Sequence, residues 1–222
     1  MQYVVYCDFD GTVTAKDNII ALMRKFAPEG WETIADNVLS RKVSIREGVG
    51  ELFALLPSNQ KDELTKFAVE NAILRPGFQD FLFFLESERI PIYIVSGGID
   101  FFVHPLLEKF SPLLGIYCNE ADFSKERIEI KWPHICDQLC SNDCGCCKTS
   151  IMRKNEKTGD FNIVIGDSVT DLEAAKKADF VLARDLLLEK CREWDIPHES
   201  FDTFYDCIEV IKNRIEVKKV NA

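Results

Sequence analysis

The chain has 222 residues, a formal net charge of −10 and 46% hydrophobic residues. This length is enough for one large domain or for a core with an insert, and the hydrophobic content excludes an intrinsically disordered chain. The negative charge argues against a nucleic-acid partner, because the densest basic stretch, residues 212–219, is interrupted by Glu216. No apolar run approaches the roughly 20 residues needed to span a bilayer.

The first residues and the cysteines lead to an expectation about location. Residues 2–7 read as a strand, without the basic, apolar and small-residue order of a secretion signal. The nine cysteines are an odd number, which does not fit a complete disulfide framework. We therefore expect a cytoplasmic location with no membrane partner. The sequence leaves open whether the chain is a monomer or a homodimer.

The first predicted element is a short apolar strand over residues 4–7, and a purely helical pattern follows over residues 16–72. Within it, Ser44 and Glu47 form the pattern of a capping box ahead of an apolar helix face. Pro57 ends that helix, and another begins at Ser58. We predict that residues 16–72 form an inserted helical cap.

After the cap, short apolar strands alternate with amphipathic helices. Alternation of this kind predicts a doubly wound, mostly parallel α/β sheet. Residues 1–15 and 73–222 would form this core domain, with a small β-hairpin within residues 116–132. The predicted strands cover residues 92–95, 162–165 and 180–182, and the predicted helices cover residues 76–87, 168–178 and 184–194.

Two pairs of acids follow two of the predicted strands. Asp8 and Asp10 come after the first strand, two residues apart, so an extended chain places both carboxylates on one side. Asp167 and Asp171 follow the strand over residues 162–165. Each pair alone also fits an ordinary turn or a favourable helix start. Because neighbouring parallel strands bring their carboxyl ends together, the four acids predict a site for a divalent cation such as Mg²⁺.

Two further segments supply groups that can hold phosphate. Ser96, Gly97 and Gly98 follow the second strand, where a hydroxyl and free amides of a glycine-rich turn would cradle an anion at a helix start. Lys148 begins a predicted helix after a polar segment. A carboxylate nucleophile, a second acid, a cation and phosphate-holding groups are typical of phosphoryl transfer through an acyl phosphate.

The motifs at residues 8–12, 96–98, 148 and 166–171 resemble those of the haloacid dehalogenase superfamily, whose first signature is Asp-x-Asp-Gly-Thr. The resemblance implies that Asp8 is the nucleophile and Asp10 the general acid and then base. It also implies that Ser96 and the Gly97 amide bind phosphate, and that Lys148 steadies the nucleophile and the transferring group.

The same resemblance implies a metal site. Asp167 would bind Mg²⁺ together with the Asp8 carboxylate and the Asp10 backbone carbonyl, and Asp171 would support Lys148 or a metal-bound water.

The resemblance extends over nearly the whole chain to the phosphatases of methionine salvage, through residues 17–20, 132–134 and 144–148. It implies a Mg²⁺-dependent phosphomonoesterase acting on a small metabolite with a methylthio tail. The alternative is another small phosphate ester, such as phosphoserine, phosphoethanolamine or pyridoxal phosphate. Phe26, Trp31 and Phe53 of the cap are candidate contacts for the tail, and the alternative for each of them is a place in the core of the helical segment.

A cluster of cysteines precedes Lys148 and leaves three interpretations open. Thiolates at this density are able to hold a structural Zn²⁺, although adjacent Cys146 and Cys147 would rarely both ligate one ion. Reduced packing thiols and a redox pair are the alternatives. The cluster consists of Cys136, Cys140, Cys144, Cys146 and Cys147, with His134 just ahead of it.

Two rival classes of function compete with the carboxylate mechanism. Cys147 and Arg153 have the spacing of a cysteine-dependent phosphatase, but no glycines lie between them and no apolar strand leads into Cys147. A phosphate-responsive receiver or a zinc-dependent interaction module would be non-catalytic. A receiver would lack the helical insert and would not need an acid at Asp10.

Overall fold

The computed structural model describes the backbone of residues 2–221 and the side chains of residues 2–217. The described residues form a seven-stranded sheet with the order β4-β3-β2-β1-β5-β6-β7. All neighbouring pairs are parallel except β3 and β4. The strands are β1 (Tyr3–Cys7), β2 (Ile92–Ile99), β3 (Gly115–Asp122), β4 (Glu129–Lys131), β5 (Phe161–Gly166), β6 (Phe180–Ala183) and β7 (His198–Ser200).

Helices alternate with these strands, so the predicted doubly wound, mostly parallel α/β fold is confirmed. Short 3₁₀ turns at Ser58–Gln60 and Val169–Asp171 lead into α4 and α8. The helices are α1 (Asn18–Phe26), α2 (Trp31–Leu39), α3 (Ile45–Ala54), α4 (Lys61–Asn71), α5 (Phe78–Ser87), α6 (Asp100–Leu107), α7 (Lys148–Asn155), α8 (Leu172–Ala175), α9 (Asp185–Glu193) and α10 (Phe204–Asn221).

Strand β1 lies at the centre of the sheet and is buried on both faces. Val5 pairs with Ile92 on one side and with Ile163 on the other. Its side chain joins the main core, whereas Val4 belongs to the smaller core that also contains Ile151 of α7. A strand covered by helices on both faces requires a nearly continuous apolar run, which explains its sequence. The parallel register brings the carboxyl ends of β1, β2 and β5 to one edge of the sheet.

The hairpin predicted within residues 116–132 forms, and it also extends the main sheet. Ile116 of β3 pairs in parallel with Ile94 of β2, and further along Ala121 pairs with Ile130 of β4 in the antiparallel direction. Sequence patterns missed β7, and they gave no range for α6, although a helix start was expected after residues 96–98. The strand β7 has only three residues, and two of them are exposed, so it carries no apolar run to detect.

Four helices, α1 to α4, lie between β1 and α5. The start of α3 follows the predicted capping chemistry, because the Ser44 side chain accepts a hydrogen bond of 3.0 Å from the Glu47 amide. The two segments that join these helices to the sheet run side by side, with an antiparallel bridge between Thr14 and Leu74. The division into a cap over residues 16–72 and a core over the remainder stays a prediction, and we keep the name cap for residues 16–72.

Two sequence-based expectations concern surfaces. Among the described residues, no helix combines the length and the apolar character needed to cross a bilayer. The basic stretch at residues 212–219 lies in α10, and the side chains of its residues 218 and 219 fall outside the described part.

Candidate active site

Asp8 lies directly after β1 and is held from two sides. Its amide donates a hydrogen bond of 2.9 Å to the Ile165 carbonyl of β5. Its Oδ1 accepts a hydrogen bond of 2.6 Å from Lys148 Nζ, so the lysine and the candidate nucleophile form a buried ion pair. Burial raises the pKa of Asp8 well above its usual value, the ammonium of Lys148 opposes this shift, and Asp171 adds to it.

Lys148 is the first residue of α7, and its ammonium has three partners. Besides Asp8 it donates to a carboxylate oxygen of Asp171 and, at 3.3 Å, to Thr170 Oγ1. Burial alone would lower the pKa of Lys148, but Asp171 and Asp8 outweigh burial and raise it. The lysine therefore carries a positive charge at neutral pH, next to the carboxylate that would attack phosphorus.

Asp10 is placed differently, with one oxygen engaged and the other directed to the phosphate-binding segment. Its Oδ1 accepts hydrogen bonds from the Asn18 amide at 3.0 Å and from Asn18 Nδ2 at 2.6 Å. Its Oδ2 lies 3.5 Å from Ser96 Oγ. Burial and the charge of Asp17 raise the pKa of Asp10 to about 8, against the opposing hydrogen bonds from Asn18. A carboxyl group with this pKa holds a proton at neutral pH and can donate it.

Asp167 follows β5 and faces the loop after β1. Its Oδ1 accepts a hydrogen bond of 2.8 Å from Thr12 Oγ1. Burial, together with the charge of Asp171, raises the pKa of Asp167 to about 7. Gly11 has a positive φ of 83°, and a Cβ at this position would overlap the Asp167 carboxylate. Only glycine therefore lets this loop approach Asp167.

Carboxylate oxygens of Asp8, Asp167 and Asp171 all lie within 4.8 Å of one another. With Lys148 as the adjacent cation, three carboxylates leave an excess of negative charge in a largely buried place. Oxygen ligands in this arrangement suit a hard divalent cation. We refer to these three residues together with Asp10 as the acidic cluster.

The segment Ser96-Gly97-Gly98 lies near Asp10, but not as the expected turn at a helix start. It forms the irregular end of β2, which extends to Ile99, and α6 begins only at Asp100. Ser96 Oγ accepts a hydrogen bond of 2.9 Å from the Gly98 amide. A Cβ on Gly98 would lie 2.6 Å from Asp10 Oδ2, so the second glycine is needed for the close approach of these two segments. The segment expected to form a turn is therefore an irregular continuation of the strand that ends one residue before α6.

Sequence reasoning missed two residues that hold the loop after β1. Asn18 binds Asp10, as described above. Arg75 is buried and donates hydrogen bonds to the carbonyls of Gly11 at 2.7 Å, Thr12 at 2.8 Å and Asp202 at 3.1 Å. An arginine just ahead of Pro76 and Gly77, where the chain returns from the cap, was the available sequence signal.

A cavity of about 190 Å³ separates the acidic cluster from the cap. Asp8, Asp10, Gly97 and Gly98 line one side of it. The opposite side, which we call the apolar wall, comes from helices α1 to α3. The apolar wall consists of Ile19, Ile20, Ala35, Val38, Leu39, Ile45, Val49 and Leu52.

None of the three aromatic residues expected to contact a substrate tail lines this cavity. Phe53 is fully buried, with its ring 6.1 Å from that of Phe101. Phe26 packs edge-on against Phe67 at 5.3 Å, and Trp31 is buried in the same core. The expectation was wrong because these rings attach the cap helices to one another and to the core.

Cys147 and Arg153 do not form the cradle of a cysteine-dependent phosphatase. Cys147 lies at the start of α7 with no strand leading into it, and its thiol groups with those of other cysteines. The Arg153 guanidinium is bound by Asp137, with 2.8 Å between Nε and Oδ2. The carboxylates at the strand ends are therefore the better candidates for chemistry.

Comparisons with known proteins agree with this assignment. Residues 5–176 match the family model described as haloacid dehalogenase-like hydrolase. Two curated relatives are each named 2-hydroxy-3-keto-5-methylthiopentenyl-1-phosphate phosphatase. The protein from Geobacillus thermodenitrificans (strain NG80-2) is 53% identical over 97% of this chain and 98% of its own length. The protein from Bacillus thuringiensis (strain Al Hakam) is 51% identical over 98% of this chain and 100% of its own length.

Solved structures show the same fold at low identity. Phosphoserine phosphatase from T. onnurineus has a TM-score of 0.72 and 16% identity, covering 96% of both chains. A substrate-bound phosphoserine phosphatase has a TM-score of 0.71 and 17% identity, covering 95% of this chain and 98% of its own. The family model and the relatives with more than 50% sequence identity show that the chain belongs to the haloacid dehalogenase-like hydrolases.

Proposed function

We propose that this protein is a Mg²⁺-dependent phosphomonoesterase whose substrate is 2-hydroxy-3-keto-5-methylthiopentenyl-1-phosphate, an ester of methionine salvage. One observation carries the proposal. A buried aspartate, Asp8, is ion-paired with Lys148 and lies beside a second aspartate, Asp10, whose raised pKa suits a proton donor. Both carboxyl groups face the same cavity, which the cap closes with apolar side chains.

The two aspartates divide the reaction between them. A carboxylate oxygen of Asp8 attacks phosphorus, and the bond from phosphorus to the ester oxygen breaks. Asp10 Oδ2 gives its proton to the departing oxygen, so the alcohol leaves neutral. A water molecule then attacks the phosphorus of the aspartyl phosphate while Asp10 takes back a proton, which releases inorganic phosphate and regenerates Asp8.

The remaining groups stabilise charge and hold the phosphoryl group. Ser96 Oγ and the Gly97 amide would bind its oxygens, and Lys148 would neutralise part of its charge. Asp171 positions Lys148, because its carboxylate accepts a hydrogen bond from the ammonium. Its other oxygen accepts hydrogen bonds from the amides of Asp167, at 3.2 Å, and Ser168, at 3.1 Å.

Three groups are suited to hold the magnesium ion: the carboxylates of Asp8 and Asp167 and the backbone carbonyl of Asp10. When bound, the ion would reduce the repulsion between the Asp8 carboxylate and the phosphate dianion. Thr12 keeps Asp167 in place through its hydroxyl, and Arg75 holds the Thr12 carbonyl on the far side of the loop. The loop after β1 is thus fixed before any ligand binds.

The cavity supports the choice of substrate. The name of the ester places phosphate on position 1 and a methylthio group on position 5, so a phosphate at the acidic cluster directs an apolar end toward the apolar wall. No lysine or arginine is among the described residues that line the cavity, so the carboxylate of phosphoserine would find no cation there. The ammonium of phosphoethanolamine has one candidate partner, Asp17.

The test is phosphate release from a panel of esters by the purified full chain with Mg²⁺. The panel contains the methylthio ester, phosphoserine, phosphoethanolamine and pyridoxal phosphate. We expect kcat/KM for the methylthio ester to exceed the others by at least about 100-fold, which corresponds to roughly 2.7 kcal/mol of transition-state binding. A higher kcat/KM for phosphoethanolamine would replace the proposed substrate, and failure to hydrolyse any ester would reject the enzyme class.

The proposal includes a cytoplasmic location and a small phosphorylated metabolite as the partner. It is supported by the nine cysteines, all of which are free thiols, as in proteins of reducing compartments. A fractionation experiment that recovers the chain outside the cytoplasm would contradict it.

A further inference from the structure

Four cysteine thiols converge at a place separate from the acidic cluster. The Sγ atoms of Cys136, Cys140, Cys144 and Cys147 all lie within 4.8 Å of one another. In a tetrahedral zinc site with Zn–S bonds of about 2.3 Å, the sulfur atoms are about 3.8 Å apart. Each thiol would therefore have to move inward by roughly 0.6 Å or less to reach that geometry.

The fold separates these four thiols from the other candidate ligands nearby. Cys146 points away from the group, and its Sγ contacts the Tyr117 carbonyl at 3.7 Å. The His134 ring packs edge-on against Tyr117 with 5.1 Å between ring centroids. Adjacent Cys146 and Cys147 thus face opposite ways, which removes the objection that two consecutive cysteines cannot both reach one ion.

Neighbouring groups are arranged to stabilise thiolates. The Cys144 amide donates to Cys136 Sγ at 3.4 Å, and Ser150 Oγ donates to Cys147 Sγ at 3.0 Å. Arg153 Nη2 lies 3.4 Å from Ser150 Oγ, and the same guanidinium is ion-paired with Asp137. The buried Nη1 of Arg153 has no hydrogen-bond partner among the described residues. Donors of this kind are what surrounds a coordinated thiolate.

The segment that carries the cysteines has no regular secondary structure, and polar contacts such as those of Asp137 and Asp143 hold it to its neighbours. Residues 132–147, between β4 and α7, contain neither helix nor strand. Two of the apolar side chains in this segment, Ile135 and Leu139, are 56% and 73% exposed, so they do not anchor it in the core. Loops longer than about 12–15 residues without secondary structure are uncommon in compact domains. A metal ion would provide a cross-link within it.

We propose that Cys136, Cys140, Cys144 and Cys147 bind one structural zinc ion. All four ligands come from the protein, which leaves no open position, so the site is structural rather than catalytic. This inference goes beyond the proposed phosphatase function and does not depend on it.

The zinc site would connect the cap to the catalytic lysine. Its last ligand, Cys147, immediately precedes Lys148. Asp143, between two ligands, accepts a hydrogen bond of 2.7 Å from Ser44 Oγ and forms an ion pair of 2.8 Å with Arg46 at the start of α3. The metal-bound loop would hold Lys148 against Asp8 and also support one side of the apolar wall.

The test is the metal content of the full chain, produced with zinc in the growth medium and purified without chelators. We expect about one zinc per chain by elemental mass spectrometry. After zinc is exchanged for cobalt(II), we expect the thiolate-to-metal absorption of a tetrahedral thiolate site. Cys140→Ser should lower the zinc content at least about tenfold, whereas the matched variant Cys146→Ser should retain it.

Three results would overturn the proposal. In the first, the wild-type chain contains no zinc and the thiols of Cys136, Cys140, Cys144 and Cys147 all react as free thiols. In the second, two disulfides join these four cysteines. In the third, Cys140→Ser keeps the full zinc content. Because the wild-type zinc content and the cobalt spectrum need no variant, misfolding of Cys140→Ser would not remove the test. Asp8→Asn should keep its zinc while losing hydrolysis, which separates failure of this proposal from failure of the phosphatase function.

Discussion

The two sides of the central cavity are built by different means. The acidic cluster sits just beyond the carboxyl ends of β1 and β5, and the parallel pairing of these strands brings its acidic residues close together. The apolar wall comes from three helices that meet only through tertiary contacts. The first side supplies groups that react with any phosphate ester, and the second side can distinguish one ester from another. Chemistry and specificity therefore reside in parts of the chain that can be changed separately.

The largest expected effect comes from the acidic cluster itself. Asp8→Asn removes the nucleophile but keeps the size of the side chain. We expect kcat to fall by at least about 10⁴-fold for every ester, because a neutral amide forms no acyl phosphate. Phosphate release measured on two esters, with and without a methylthio tail, checks this. Equal losses on both would support the separation of chemistry from specificity, and a loss confined to one ester would contradict it.

The second prediction concerns the proton donated by Asp10. Asp10→Asn should lower kcat by about 10²–10⁴-fold for an alkyl phosphate, whose oxygen needs a proton to leave. An aryl phosphate with an acidic phenol should lose much less in the first step. Since the pKa of Asp10 is about 8, wild-type activity on the alkyl ester should decline as pH rises through that value. The aryl ester serves as the control, and an identical alkaline decline for both esters would reject this role.

The third prediction concerns magnesium and stability. Burial raises the pKa of Asp10 to about 8 and, with the charge of Asp171, that of Asp167 to about 7, both from 3.8. The folded chain therefore binds these protons more tightly than the unfolded chain. The metal-free protein should be most stable at low pH and lose stability as pH rises through these values.

Magnesium should offset that loss of stability, and at a fixed Mg²⁺ concentration the gain in the free energy of unfolding should be larger at about pH 8 than at about pH 5. At 100 times its dissociation constant, it should add about 2.7 kcal/mol to the free energy of unfolding, or a rise in Tm of roughly 5–10 °C for a chain of this size. Thermal unfolding with and without Mg²⁺ at both pH values is the measurement. A larger rise at low pH would show that the carboxylates of Asp8 and Asp167 do not hold the ion.

The smallest expected effect comes from the apolar wall. Leu39 lines the cavity and is 65% exposed, whereas Leu114 is 61% exposed at another surface. Leu39→Ala should raise KM for the methylthio ester by about fivefold, or roughly 1 kcal/mol of lost apolar contact, without changing kinetics on a small ester. Leu114→Ala is the matched control and should leave both unchanged. A similar KM increase for both esters would show that the wall does not select the tail.

The contrast between the acidic cluster and the apolar wall also explains which site residues could be predicted from the sequence. Strand ends can be located from short apolar runs, so Asp8, Asp10 and Asp167 were predictable as neighbours. The three aromatic residues of the cap were not assignable from a helical pattern, because each helix has several apolar positions and only packing decides which of them face the cavity. Arg75 is distant in sequence from the loop it holds, and it acts through backbone carbonyls that leave no trace in residue types.

The paired segments between cap and sheet restrict how the cavity can open. The Ala15 amide donates to the Ile73 carbonyl at 2.7 Å, and the Arg75 amide donates to the Val13 carbonyl at 2.8 Å. The two chain segments between the sheet and the cap are therefore hydrogen-bonded to each other. Asn18 begins α1 just beyond these paired segments, so a movement of α1 away from the sheet would lengthen the hydrogen bonds from Asn18 to Asp10. Product release and the proton affinity of Asp10 would then change in a single movement.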